Sequence, residues 1–138
     1  EGVSGGMSTR AALDAYLAAA GQFDWLRNNC CHFVSGWILQ RTGRDCMIGL
    51  RPTAGPIAAQ RVKRSLGGTL AAAMDRLYQP SIQPQLSRTG DVVRVAPGAL
   101  GLLGLCADGK VICLAGLAGG AGLAVLPLDA ATHAWRVP

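Results

Sequence analysis

The chain has 138 residues, half of them apolar, which is the size of one domain with a sizeable buried core. Thirteen Lys and Arg against eight Asp and Glu give a net charge of +5, but these charges are mostly scattered and aromatic residues make up only 5% of the chain, so no nucleic-acid partner is expected. Five cysteines, two of them adjacent, do not form the even set of a disulfide framework, and we expect a reducing compartment.

Composition along the chain predicts where the domain lies. Residues 1–6 read EGVSGG and have the composition of an expression remnant. No low-complexity linker or internal repeat divides the remainder, so we expect one domain over 7–138. Its first part, about 8–80, has helical patterning, whereas about 90–138 contains short apolar runs separated by turn residues.

Capping residues predict two helices near the start of the chain. Ser8 can cap a helix over 9–20, and Asn28 or Asn29 can cap a second helix that ends at Thr42. A glycine follows each of these helices and is the expected stop signal.

Two shorter helices are predicted after a loop. They cover 56–66 and 69–78, and Gly67 and Gly68 between them provide the turn of a helical hairpin.

The last third of the chain predicts antiparallel strands. The apolar runs cover 91–95, 102–107, 110–116, 123–128 and 133–137. The dipeptide Asp108-Gly109 predicts a type I′ turn, and its register pairs Cys106 with Val111, Gly104 with Cys113, and Leu102 with Ala115. Helices followed by a small antiparallel sheet or barrel place the chain in the α+β class.

An uncharged stretch over 111–128 reaches the length of a membrane span. Its centre is rich in glycine, and Pro127 lies near its end. We interpret the stretch as two buried strands joined by a flexible turn, and no transmembrane segment is expected.

Cys30, Cys31 and His32 lie at the predicted start of the second helix. At about 100° per residue, Cys30 shares an inward-facing stripe with Phe33, Val34 and Trp37. His32 lies about 200° away from Cys30, so the two residues cannot form a local pair. Three consecutive residues lack the spacing that lets ligands converge on zinc, so no metal is expected. A cysteine at a helix N-terminus has the geometry of a thiol nucleophile, and a small buried hydrophobe is the alternative.

The order of these parts resembles the NlpC-type cell-wall cysteine peptidases, papain-like enzymes that cut peptidoglycan stem peptides. The matching elements are NCCHFV at 29–34, GDVV at 90–93 and the hairpin LLGLCADGKVICLA at 102–115. The resemblance implies a papain-like fold of the NlpC type, with N-terminal helices packed on a small antiparallel β-sheet or barrel.

Four further strings resemble a phage and prophage domain-of-unknown-function family that is related to those peptidases and is encoded among tail genes. They are FDW at 23–25, TGRD at 42–45, LPL at 126–128 and AWRV at 134–137, in matching order. This resemblance implies a protein associated with a phage tail.

The resemblance also implies site residues. Cys30 takes the position of the nucleophile. In the active peptidases a histidine opens the strand before the hairpin and a polar third residue lies on the returning strand, and the matching positions here are Leu102 and Cys113. Because Leu102 cannot accept a proton, the base is implied to be lost, and we expect Leu102 to pack over the thiol. His133, on the last strand, is the candidate substitute base.

Two hypotheses follow. The first is a degenerate papain-like domain with a structural or assembly role, which is made in the bacterial cytoplasm and then becomes part of a phage or prophage tail particle beside other tail proteins. The second is an active thiol peptidase or amidase acting on peptidoglycan peptides, with Cys30 as nucleophile. A third, a nucleic-acid binder, rests on net charge alone, because the one basic cluster, Arg61, Lys63 and Arg64, is typical of a solvated helix face. No cofactor is expected in any of them.

Overall fold

The computed structural model describes residues 8–20, 30–45, 70–95, 102–114 and 122–138. These ranges contain the helices α1 (Thr9–Ala18), α2 (Cys30–Thr42) and α3 (Leu70–Leu77). The strands are β1 (Val92–Val95), β2 (Leu102–Ala107), β3 (Lys110–Leu114), β4 (Leu123–Pro127) and β5 (Ala131–Trp135). The predicted α+β class is confirmed. Several predicted features lie outside the described residues: the segment 1–6, Gly21, the caps Asn28 and Asn29, the helix over 56–66, Gly67, Gly68 and Ala115.

Local capping signals fix two of the predicted helix ends, the start of α1 and the end of α2, whereas α1 ends at Ala18 and not at residue 20 as predicted. The Ser8 side chain accepts a hydrogen bond from the Ala11 amide at 3.1 Å and begins α1. At the end of α2, Gly43 adopts a φ of +77° and donates its amide to the Leu39 carbonyl at 2.8 Å. Because this left-handed conformation is costly for residues with a Cβ, a glycine is the natural stop for α2.

The hairpin between β2 and β3 forms with the predicted register. Asp108 and Gly109 have φ values of 53° and 77°, as a type I′ turn requires. Cys106 pairs with Val111, and Ala107 pairs with Lys110. The five strands form one antiparallel sheet in the order β4-β3-β2-β1-β5.

The chain between β4 and β5 shows that this sheet is strongly curled. The two strands are at opposite edges of the sheet, yet only the 3₁₀ turn Leu128–Ala130 separates them in sequence. The four steps from Pro127 to Ala131 span at most about 14 Å, whereas four inter-strand spacings in a flat sheet are about 19 Å. The sheet must therefore curl so that its two edge strands approach each other.

Curling gives the sheet two buried faces. The inner cluster consists of residues enclosed by the curled strands: Val93, Val95, Cys106, Val111, Cys113 and Ala134. The helix-side cluster joins the other face of the sheet to α1, α2 and α3, and its sheet members include Val92, Leu103, Leu105, Leu114 and Trp135. Burial of alternate residues on each strand thus builds two cores on a single sheet.

Two strand predictions need correction. The last strand is Ala131–Trp135 and not 133–137, because Arg136 and Val137 leave the ladder to bond Leu86 and Asp91. The stretch 123–128 was predicted to be buried, yet β4 alternates between exposed and half-buried residues, and Val125 is 59% exposed. As a strand at the sheet edge, β4 has a neighbour on one side only.

Candidate functional site

Helix α2, which begins with the candidate nucleophile Cys30, is held between α1 and the sheet. The Tyr16 hydroxyl donates a hydrogen bond to the Phe33 carbonyl at 2.5 Å, and Arg41 donates to the Thr9 hydroxyl at 3.0 Å. These two contacts, at opposite ends of both helices, show that α1 and α2 run antiparallel. On its other side, α2 packs against β2 and β3.

Hydrogen bonds along α2 fix its direction over the sheet. The buried Trp37 indole donates to the Gly90 carbonyl at 2.7 Å, just before β1, and Arg41 donates to the Pro138 carbonyl at 2.9 Å. The C-terminal half of α2 therefore lies over the end of the sheet where β1 begins. Its N-terminus points toward the other end, where β2 begins and β3 ends.

The inward stripe predicted for α2 is confirmed where the structure describes side chains. Phe33, Val34 and Trp37 are each at most 2% exposed and belong to the helix-side cluster. Cys30, Cys31 and His32 lie in the first turn of the helix, but their side chains are outside the described residues. The direction and reactivity of the Cys30 thiol stay predictions.

Leu102 and Cys113 share one face of the sheet, as the register predicted, but it is the inner face. Cys113 is fully buried in the inner cluster, and Leu102 packs against that cluster. The residues of β2 that share a cluster with α2 are instead Leu103 and Leu105. Because neighbouring strand residues point to opposite faces, Leu102 lies on the face away from Leu103. Whether Leu102 packs over the thiol stays a prediction, since the Cys30 side chain is outside the described residues.

His133 lies on the helix side of the sheet. It pairs with Arg94 in the ladder, and Arg94 pairs with Leu103 of the helix-side cluster. Strand β5 is separated from β2 by β1, a distance of two strand spacings or about 10 Å. The His133 Nδ1 atom is 3.0 Å from the Thr132 hydroxyl.

The Gly-Asp pair of the resemblance occupies a structural junction. Asp91 is 1% exposed, and its two carboxylate oxygens accept the Val137 amide at 3.0 Å and the Arg88 amide at 2.8 Å. Arg136 Nε lies 3.1 Å from the same carboxylate as an ion pair. Asp91 thus joins the start of β1 to the C-terminal segment and serves the fold.

A cluster of polar side chains that the sequence did not predict lies beside His133. The β1–β5 register shifts between Arg94 and Val95, so that Thr132 and His133 both lie opposite Arg94. Arg94 Nη1 donates to the Thr132 hydroxyl at 2.7 Å. Such a bulge breaks the two-residue alternation on which strand prediction depends, so no sequence signal could have located it.

Comparison with known protein families shows a match over most of the chain. The family described as Domain of unknown function (DUF6950) matches residues 7–137. The chain belongs to this family. No curated protein and no solved structure matches the chain.

Two features of the described residues bear on the class of site. Within the described ranges, no group of three His, Cys, Asp or Glu residues is placed to hold a metal ion. None of the helices α1 to α3 is long and apolar enough to cross a membrane.

Proposed function

We propose that this DUF6950 protein is a papain-like domain of the NlpC type whose active site has degenerated, and that it has a structural or assembly role in a phage or prophage tail. The order of its parts supports the relationship. A cysteine opens the helix that packs on the sheet, a Gly-Asp pair precedes β1, and the hairpin follows.

The observation that carries the loss of activity is the apolar surface that the sheet presents to α2. Leu103, Leu105 and Leu114 are fully buried there, in one cluster with the helix. A thiol hydrolase needs a base within hydrogen-bond reach of its nucleophile, and leucine cannot serve. His133 has a titratable ring but lies on a strand two spacings away from β2.

An activity assay tests this part of the proposal. The wild-type chain, incubated with peptidoglycan fragments and followed by mass spectrometry, should release no cleaved stem peptide, because no base assists Cys30. Cleavage that is lost in Cys30→Ser but kept in Cys31→Ser would contradict the proposal. If His133→Ala also abolished that cleavage, the protein would be a thiol peptidase or amidase with His133 as its base.

The assembly role needs a separate experiment. We expect the protein to be made in the bacterial cytoplasm and to be present in purified tail particles of the phage or prophage that encodes it. Deleting its gene should give defective tails under the electron microscope, and Cys30→Ser should restore normal tails. Normal tails in the deletion strain would refute the assembly role.

A further inference from the structure

Strand β4 is an edge of the sheet whose outer side is open. It pairs with β3 over five consecutive residue pairs without a bulge, and it does not pair with β5. The outer side of β5 is partly covered, because the Ile82 amide donates to the Ala134 carbonyl at 2.7 Å. Among the described residues, none outside β3 makes a backbone hydrogen bond to β4. The outer backbone groups of β4 are therefore available to another strand.

The hydrogen bonds of β2 set the alternation of backbone groups across the sheet. The Cys106 amide donates to the Asp91 carbonyl and its carbonyl accepts from the Gly90 amide, both at 2.8 Å, so Cys106 bonds toward β1. Neighbouring residues of a strand direct their backbone groups to opposite sides, and Ala107 therefore bonds its partner Lys110 on β3. By the same rule, the next residue of β3 directs its backbone groups toward β4.

This alternation decides which residues of β4 face outward. Val111, the next residue of β3, pairs with Leu126, so the backbone groups of Leu126 point to β3 and those of Val125 and Pro127 point away from it. Proline has no amide hydrogen and is tolerated in a sheet where that group would face solvent, which agrees with the position of Pro127. The outer edge thus offers the amides of Leu123 and Val125.

The side chains of this edge are apolar and exposed. Leu123 is 42% exposed and Val125 is 59% exposed, and no residue of β4 is charged. Edge strands of natural proteins are usually protected by charges, bulges or a covering element, whereas β4 has only the proline at its end. Because the strand is uncharged, two copies of it can meet without like-charge repulsion, although each chain has a net charge of +5.

We propose that β4 is the interface of a homodimer, in which two copies of the strand pair antiparallel across a two-fold axis at Val125. In this register each Val125 amide donates to the Val125 carbonyl of the other copy, and each Leu123 amide donates to the Pro127 carbonyl of the other copy. All the outward amides are then bonded. The missing amide of Pro127 leaves only the Leu123 carbonyl without a donor from the other copy. The exposed valine and leucine side chains meet apolar residues in the same register.

The size of this contact predicts a weak dimer. One short strand from each copy is far smaller than the roughly 20–30 residues a side of a stable interface, so association needs a high protein concentration. In sedimentation equilibrium of the full chain between about 10 μM and about 1 mM, the average mass should rise from the 14.2 kDa of one chain toward twice that value. The dimer depends neither on Cys30 nor on the proposed tail role.

Two substitutions and a matched control test the register. Val125→Lys should abolish dimerisation, because it places two like charges opposite each other on the axis. Leu86→Lys is the control, since Leu86 is also 59% exposed but lies in the 3₁₀ turn before β1, and it should dimerise as the wild type does. Val125→Pro removes the outward amide alone, so it should stay folded in a urea titration and remain a monomer.

Several outcomes would overturn the proposal. They are a mass of 14.2 kDa at every concentration, equal effects of Val125→Lys and Leu86→Lys, and a mass that grows beyond that of a dimer, which would indicate open head-to-tail assembly. If Val125→Pro unfolds, the Val125 amide faces β3 and the register is refuted. If it folds and still dimerises, the interface lies elsewhere.

Discussion

A buried carboxylate orders the junction between the helices, the sheet and the chain end. Asp91 accepts two backbone amides and faces Arg136, while the neighbouring Gly90 carbonyl accepts the Trp37 indole of α2. A charged group is tolerated at this depth because its hydrogen-bonding capacity is used. The Gly-Asp pair that contributed to the resemblance therefore has a physical reason that does not involve catalysis.

Substituting this carboxylate by its amide should destabilise the protein. In Asp91→Asn, the amide NH₂ must face either the Arg88 or the Val137 amide, which places a donor against a donor, and the ion pair with Arg136 loses its negative charge. We expect the free energy of unfolding in urea to fall by about 2 kcal/mol. Asp14→Asn, which changes an exposed carboxylate paired with Arg10, should cost less than about 0.5 kcal/mol. Equal losses of stability in the two variants would show that Asp91 does not hold this junction together.

The buried thiol of Cys106 should make the free energy of unfolding depend on pH. Burial raises the pKa of the Cys106 thiol above its ordinary value, and the charges of Asp91 and Asp108 act in the same direction, while a hydrogen bond with the Gly109 backbone opposes them. Above about pH 9 the unfolded chain loses this proton first, so the stability that Cys106 contributes is full below that pH and is lost as the pH rises.

The wild type should therefore lose its greater stability relative to Cys106→Ala at alkaline pH. We expect the difference between their free energies of unfolding, measured in urea from pH 7 to pH 10.5, to shrink above about pH 9. The comparison with the variant removes the contributions of the other titrating groups. A constant difference across this range would mean that the thiol ionises as easily in the folded state as in the unfolded chain.

At the scale of elements, β2 and β3 leave no room for a side chain at Gly104. A Cβ added to Gly104 would lie 2.6 Å from the Ile112 carbonyl oxygen, 2.7 Å from Cys113 Sγ and 2.8 Å from a Val111 methyl group. A side chain at this position would need the inner cluster or the ladder to move.

Gly104→Ala should accordingly destabilise the protein by about 1–3 kcal/mol through overpacking. Gly122→Ala is the matched control, because a Cβ there meets nothing within 4 Å and its effect should stay within about 0.5 kcal/mol. Urea unfolding of both variants measures the contrast. Similar stabilities for the two variants would argue against a closely packed inner cluster.

At the scale of the whole molecule, the sequence predicted features that depend on a few neighbouring residues better than it predicted how the elements lie relative to one another. The cap at Ser8, the stop at Gly43 and the Asp108-Gly109 turn each depend on a few neighbouring residues, and all three are found. The assignment of Leu102 beside the thiol depends on a motif match between distant elements and stays a prediction, because a one-residue difference in parity moves a side chain to the other face of a strand.

The exposure of β4 and the bulge beside His133 could not be predicted for a related reason. A strand's place at the edge of a sheet is set by its partners, and the apolar run over 123–128 has the composition of a buried strand. The bulge cannot be recognised from the sequence of β5, ATHAW, because its mixed polarity has no regular alternation that an extra residue would interrupt.

The central claim is that no base activates Cys30, and the rate of its alkylation against pH tests it most directly. The modified Cys30 peptide can be quantified by mass spectrometry after exposure to iodoacetamide, with an unstructured cysteine peptide as reference. We predict that Cys30 reacts more slowly than the reference at neutral pH, with an apparent pKa no lower than the roughly 8.5 of free cysteine, and that His133→Ala changes nothing. A fast reaction with an apparent pKa well below that value, and slowed by His133→Ala, would contradict the account.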